Sequence, residues 1–243
     1  MNLIRPDWPV ADRVKAFATS RHGGVSEGPW QALNLGLNCG DAPDHVAENR
    51  RRLRSLLPAD PCWLAQVHGT DVIALDQWRD GVEADAAWTD QPHQAAAVLT
   101  ADCLPVLLAA EDGTAVAAVH AGWRGLAGGI LERAVDAMPP ATGRCHAWIG
   151  PGICGDCYQV GDEVREALTA GDMRAQRAFR PDGSRWRADL KFIAGLRLQR
   201  RGVQVCDAAR CTHCETDEFF SYRRDGVTGR MASLIWLEYL RGL

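Results

Sequence analysis

The sequence predicts one mixed domain of strands and helices spanning residues 1–243, and neither a TIM barrel nor a doubly wound parallel sheet. The order of apolar runs and amphipathic segments lacks a regular β–α alternation. A length of 243 residues at 47% hydrophobic content is enough for one sizeable core. No internal repeat, low-complexity tract or linker composition divides the chain.

Val14 to Thr19 alternates as a strand does, and Arg21-His22-Gly23-Gly24 reads as the turn after it. A Gly-bearing loop from Val25 to Asp41 follows, carrying Asn34. Asp44 is the expected cap of a helix over His45 to Leu57, stopped by Pro58. Short strands are expected at Cys62 to His68, Asp71 to Leu75 and Ala84 to Thr89. Ala95 to Thr100 and Leu104 to Ala110 are apolar enough to be fully buried strands, with Ala101-Asp102-Cys103 as a sharp break between them. After a turn at Gly113-Thr114 comes a strand from Ala115 to His120. The segment Ala121-Gly122-Trp123-Arg124-Gly125 then leads into a helix over Ala127 to Met138, ended by Pro139-Pro140. Farther on, Cys145 to Ile149 reads as a strand, Gly161 to Leu168 and Asp189 to Arg201 as helices, and Val203 to Cys206 and Met231 to Leu237 as late strands. Gly171 to Arg187, rich in arginine and glycine, is expected to be a flexible surface loop, and Asp225-Gly226 a β-turn.

Composition narrows the function. The N-terminal MNLIRPDWPVADR has no continuous apolar stretch and does not read as a secretory signal. The longest apolar stretch, Ala95 to Ala110, is interrupted by Asp102 and Pro105 and is shorter than the roughly 20 residues a spanning helix needs. A soluble protein without a membrane partner is expected. Nine cysteines, an odd number, argue against a disulfide framework and for a reducing cytoplasm. A net charge of −4 gives no general field for nucleic acid, and Arg50, Arg51, Arg52 and Arg54 read as the solvated face of a helix.

His68 in QVHG, Cys103 in TADC and His120 in VHAGWRG each end a short apolar run, and together they offer two imidazoles and a thiolate. That donor set suits zinc, and three protein ligands leave a fourth tetrahedral position for water or substrate. The residues lie 35 and 17 positions apart, so only the fold can join them. Read one by one, each is equally a buried cysteine or a satisfied histidine. Arg124, just after His120, is placed in sequence to neutralise an oxyanion, or is a surface arginine at a helix start. Arg21 and Asn34 are either substrate contacts or stabilisers of their turns. Asp102 and Asp85 compete for the task of orienting a metal-bound imidazole, and His22 is an alternative lining residue. The absence of a GxxxxGK[ST] motif disfavours a P-loop nucleotide hydrolase. Cys154-x-x-Cys157 and Cys211-x-x-Cys214 have the ligand count of a structural zinc site, but the two pairs are farther apart than the usual ribbon spacing. Buried free thiols are the simpler reading.

The runs QVHGTDV, LTADCLPVLL, VAAVHAGWRGLAGGILERAV, IGPGICGDCYQVG and CTHCETDEFFSYRRDGVTGRMASLIWL follow one another in an order that resembles the YfiH-like family. This family is also called the peptidoglycan editing factor family and was once catalogued as laccase-like polyphenol oxidases. The resemblance runs from TSRHGGVSEGPWQALNLGL to SLIWL. It implies an α+β sandwich of mixed sheets covered by helices, with His68, Cys103 and His120 as zinc ligands and Arg21 and Asn34 in a segment that borders the active site; SYRRDGVTGR is among the strongest matches, its Arg223, Arg224 and Arg230 either contacting substrate or making structural hydrogen bonds. Cys157 before Tyr158 fits the family pattern and Cys154 departs from it. The implied activity is phosphorolysis of adenosine, inosine and 5′-methylthioadenosine, with adenosine deamination, on a nucleoside and phosphate as partners. One alternative is an amidase that removes L-serine from a UDP-muramoyl intermediate, with Cys103 as nucleophile. A second is a copper phenol oxidase. Against it, a multicopper centre needs many imidazoles, usually in His-x-His pairs, whereas this chain has seven histidines and no such pair. A metal-stabilised interaction protein without turnover is the reading outside enzymology.

Overall fold

The computed structural model describes residues 1–239. In chain order the strands are β1 (Leu3–Ile4), β2 (Val14–Thr19), β3 (Pro61–Cys62), β4 (Val72–Ala74), β5 (Ala86–Thr89), β6 (Ala95–Thr100), β7 (Leu104–Ala110), β8 (Val116–Ala121), β9 (Cys145–Ile149), β10 (Gln159–Val160), β11 (Phe179–Asp182), β12 (Arg185–Ala188), β13 (Gln204–Asp207) and β14 (Met231–Leu237). The helices are α1 (Pro43–Arg54), α2 (Trp123–Gly128), α3 (Ile130–Ala137), α4 (Asp162–Thr169), α5 (Leu190–Arg200) and α6 (Tyr222–Asp225).

Two mixed sheets stack face to face. One runs β1-β2-β14-β6-β3 and the other β13-β9-β7-β8-β5-β4. Period-2 alternation explains why β7 is apolar throughout. Leu107 and Ala109 meet Val98, Ile235 and Leu237 of the facing sheet, while Val106 and Leu108 pack under Leu126, Ile130, Ile193 and Leu198 of the helices. On the opposite side, α1 and the loop before it cover the five-stranded sheet through Leu33, Leu35 and Leu53 against Phe17 and Leu234. Helices therefore flank a two-sheet sandwich, as the resemblance implies. Each buried leucine contributes about 1.5–3 kcal/mol relative to exposure. Among the described residues no helix is long and apolar enough to cross a membrane.

Several expectations are corrected in detail. Gly171 to Arg187 is not a loop. It holds a short 3-10 helix, Met173–Ala178, and the hairpin β11–β12, which joins β10 in a three-stranded sheet and turns at Gly183 with φ 66°. The expected helix Ala127 to Met138 is split into α2 and α3 by Gly129, whose φ of 89° a helix interior cannot hold. Asp44 sits in the first turn of α1 and does not cap it, because Pro43 already begins the helix. Cys62 to His68 keeps only β3 as strand, and Asp225 closes the one-turn helix α6 before Gly226. Arg50 bonds the Leu35 carbonyl and stacks on Trp63, while Arg51 and Arg52 pair with Glu48 and Arg54 with Asp60.

Candidate metal centre

The chain crosses between the two sheets at Ala101-Asp102-Cys103, from the end of β6 to the start of β7. Asp102 takes φ 92° there, a left-handed conformation that costs a non-glycine residue of order 1 kcal/mol and persists only when other contacts fix it. Those contacts are present. Its carboxylate accepts hydrogen bonds from the Thr212 hydroxyl at 2.6 Å and the Arg223 amide at 2.6 Å, and its carbonyl accepts from the Ile153 amide at 2.9 Å. The kink turns Cys103 toward the neighbouring strand, where Pro105 stands opposite His120 and Leu104 opposite Ala121. Alternation along β8 puts the His120 side chain on the face shared with Val116 and Ala118, at the strand's end.

His68 arrives from a turn and also has a positive φ, 60°. One side chain holds that turn in place. The Asp85 carboxylate is fully buried and accepts from three successive amides, Val67 at 3.2 Å, His68 at 3.0 Å and Gly69 at 2.7 Å. The same carboxylate bonds His120 Nδ1 at 2.7 Å. Asp85 thus fixes the backbone of one histidine and the ring of another. With Nδ1 donating to Asp85, His120 keeps its Nε2 lone pair free for a metal. The ambiguity between the two aspartates is resolved by these contacts: Asp85 orients the imidazole, and Asp102 straps the kink.

The ligand atoms of His68, Cys103 and His120 all lie within 4.8 Å of one another. Cys103 Sγ stands 3.8 Å from His68 Nε2, and the two imidazoles meet edge to face at 4.8 Å between centroids. A tetrahedral zinc with ordinary Zn–S and Zn–N bonds would set an S···N edge of about 3.6 Å, so the spacing fits one shared ion with little movement. Gly122 backs the group: a Cβ there would lie 3.0 Å from both Cys103 Sγ and His68 Cδ2. His120 is buried and His68 is exposed, so the centre is open on the His68 side.

Charge is concentrated at these atoms. Burial raises the Cys103 thiol, but the imidazoles of His120 and His68 outweigh it and bring the pKa down to about 6. Burial disfavours a charged His120, yet the Cys103 sulfur and Asp85 raise its pKa to about 9. Burial also works against the Asp85 carboxylate, and the His120 hydrogen bond with the amides of Gly69 and Val67 hold its pKa below the usual value.

The other sequence-chosen residues fall into two groups. Arg124 is exposed at the start of α2, its guanidinium 4.4 Å above the Trp123 ring. Asn34 is fully buried. Its amide donates to the Gly36 carbonyl and Asp41 and accepts from the amides of Gly36 and Arg230, so its part is to hold its loop. Arg21 likewise braces that loop, bonding the carbonyls of Gln31 and Thr216 and stacking on Phe220 at 4.7 Å. His22 faces Glu218 at 3.8 Å. Arg224 bonds backbone carbonyls and the Asp225 carboxylate, Arg230 bonds backbone carbonyls, and Arg223 donates to the Gln159 carbonyl while its guanidinium lies 4.9 Å over the Tyr158 ring. Tyr158 escaped the sequence reading. Burial and the Cys103 sulfur push its pKa up to about 12, against the pull of Arg223 and Arg124, so it belongs to the same electrostatic neighbourhood.

Residues 15–238 match a family model described as "Multi-copper polyphenol oxidoreductase laccase". The chain is 49% identical over 239 residues to the "Purine nucleoside phosphorylase YfiH" of Escherichia coli (strain K12), covering 97% of this chain and 98% of that one. It is 46% identical over 238 residues to a Pseudomonas aeruginosa protein also named as a purine nucleoside phosphorylase, covering 97% and 98%. Among solved structures, a Neisseria meningitidis protein superposes with a TM-score of 0.94 at 45% identity, over 98% of this chain and 100% of that one. YlmD from Geobacillus stearothermophilus does so at 0.86 and 32%, over 98% and 97%.

Proposed function

The chain belongs to the YfiH-like family, and from that membership we propose that it is a zinc-dependent purine nucleoside phosphorylase. It would act on adenosine, inosine and 5′-methylthioadenosine, and would also deaminate adenosine. The observation that carries this reading is the convergence of His68, Cys103 and His120, with Asp85 fixing the His120 tautomer. Two nitrogens and one sulfur at these spacings suit zinc, which would supply a Lewis acid with one position open to substrate.

The remaining work falls to the chain's own groups. In phosphorolysis a phosphate oxygen attacks C1′ of the ribose, the N-glycosidic bond breaks, and the bond's electrons leave with the base. Arg124 is exposed beside the centre and makes no salt bridge among the described residues, so its charge is available to an incoming phosphate. Arg223, over Tyr158, adds a second cation on that side, and the Tyr158 hydroxyl supplies a hydrogen-bonding group. Asp85 keeps both histidines in place through the reaction. Asp102 and Asn34 act farther back, on the backbone that carries the site.

The description of the family model favours a second reading, a copper phenol oxidase. Removal of L-serine from a muramoyl substrate with Cys103 as nucleophile is a third, and it has less support because the sulfur stands as one corner of a ligand set. One experiment separates them. Zinc-loaded protein is incubated with inosine, adenosine, a simple phenol and the UDP-muramoyl-L-serine substrate, with and without phosphate and in the presence and absence of oxygen, beside Cys103→Ala. The proposal expects phosphate-dependent release of base that is indifferent to oxygen and lost in the variant. Turnover that requires oxygen, or turnover only on the muramoyl-serine substrate, would overturn it.

A further inference from the structure

Away from the catalytic candidates, the structure unites two cysteine pairs that lie 57 residues apart. The sulfurs of Cys154, Cys157, Cys211 and Cys214 all stand within 4.8 Å of one another. The long separation that argued against a shared site in the sequence is closed by topology. Strand β13 pairs in parallel with β9, with Asp207 opposite Ile149, so the chain leaves both strands at the same end of the sheet. Cys154 follows β9 and Cys211 follows β13 within a few residues, and the bridge between Gly152 and Cys211 locks the two exits together.

Each pair forms a tight turn of the kind that presents two sulfurs to one ion. The Cys154 carbonyl accepts from the amides of Cys157 at 3.1 Å and Tyr158 at 3.2 Å, and the Cys211 carbonyl accepts from the Glu215 amide at 3.1 Å. An amide also points at sulfur, from Cys154 to Cys211 Sγ at 3.3 Å, which favours a thiolate there. Cys157 Sγ and Cys214 Sγ are 3.2 Å apart, farther than the roughly 2.05 Å of a disulfide and near the edge of about 3.8 Å in a tetrahedral zinc thiolate. Gly155 allows the first turn to sit close, since a Cβ there would lie 3.0 Å from Asp189 Cβ. Arg224 donates to the carbonyls of Thr212 and His213 inside the second turn, bringing positive charge to a group that would be anionic with metal bound.

We propose that Cys154, Cys157, Cys211 and Cys214 hold a second, structural zinc ion, distinct from the His68–Cys103–His120 centre. Four thiolates close the tetrahedron, so this ion has no position for substrate. Its role is to clip together the segments carrying Ile153 and Thr212, two of the three residues that bond Asp102 and hold the kink before Cys103. The inference does not depend on the proposed activity.

The test is metal content by native mass spectrometry and elemental analysis, on protein expressed with zinc and never exposed to chelator. Wild type is expected to carry two zinc ions per chain, and His68→Ala/His120→Ala to keep one. Adding Cys157→Ser/Cys214→Ser to that background should remove the last. If the cysteine variant does not fold, peptide-mapped alkylation of the folded His68→Ala/His120→Ala protein decides instead. The four thiols are expected to resist alkylation until a chelator strips the ion. The proposal is overturned by a His68→Ala/His120→Ala protein that carries no zinc, by alkylation equally fast with and without chelator, by iron in place of zinc, or by a Cys157–Cys214 disulfide in the reduced preparation.

Discussion

Replacing Asp85 with asparagine keeps the shape of the side chain and removes the charge that organises both histidines. One carboxylate oxygen accepts from the His68 amide and His120 Nδ1, and the other from the amides of Val67 and Gly69. Whichever way the new amide turns, its NH2 faces two donors that lose their acceptor. These hydrogen bonds are largely part-buried, so each unpaired donor costs about 1–2 kcal/mol, the lower part of the range for buried groups, and the two together should cost the variant about 2–4 kcal/mol. At about 2–4 °C per kcal/mol for a chain of this size, the melting midpoint should fall by about 5–15 °C. If the NH2 lies against His120, the ring must carry its proton on Nε2, where the metal would bind. Loss of such an orienting partner lowers metal affinity roughly 10–100-fold. The assay is zinc competition against a chromophoric chelator, read beside thermal melting. Affinity within about twofold of wild type, with an unchanged melting midpoint, would refute the assignment of Asp85.

Gly122→Ala should empty the same centre with little loss of fold, because φ at Gly122 is an ordinary −72° and the nearest atoms to the new methyl are Cys103 Sγ and His68 Cδ2, each 3.0 Å away; zinc content and circular dichroism measured together check this. Arg124→Ala should raise the KM for phosphate about tenfold, the worth of one charge-assisted hydrogen bond, and leave melting unchanged since the side chain is exposed. Asn34→Ala should do the reverse. It strands the buried amide of Gly36 and the part-buried amide of Arg230 and should cost about 2–4 kcal/mol of stability, while KM values of the folded fraction stay near those of wild type.

The parts of this molecule readable in sequence are those whose signal is local. β7 and β14 announce themselves as almost wholly apolar runs, with Pro105 and Ser233 the exceptions, because both faces of each are covered. His68, Cys103 and His120 stand out because each ends such a run. What joins them is long-range and leaves no local mark: the crossing from β6 to β7, the Pro105–His120 register and the Asp85 carboxylate. Asp102 adjoins Cys103 in sequence, whereas Asp85 lies 17 residues after His68 and carries no local mark of its part, and only their hydrogen bonds separate the two roles. The hairpin β11–β12 is missed because its strands are four residues each and carry Arg180, Arg185 and Arg187. Asn34 misleads for a related reason, since a polar residue in a Gly-bearing loop gives no sign that it is buried. The two cysteine pairs misled through spacing, because the parallel β9–β13 pairing that brings them together is invisible in the interval between them.

The most direct test of the account is anomalous diffraction across the zinc edge from crystals of the zinc-loaded protein. It should show a peak about 2.0–2.3 Å from His68 Nε2, Cys103 Sγ and His120 Nε2. No peak among those three atoms, in crystals of protein that is fully active on inosine, would contradict the claim that these side chains share a catalytic ion.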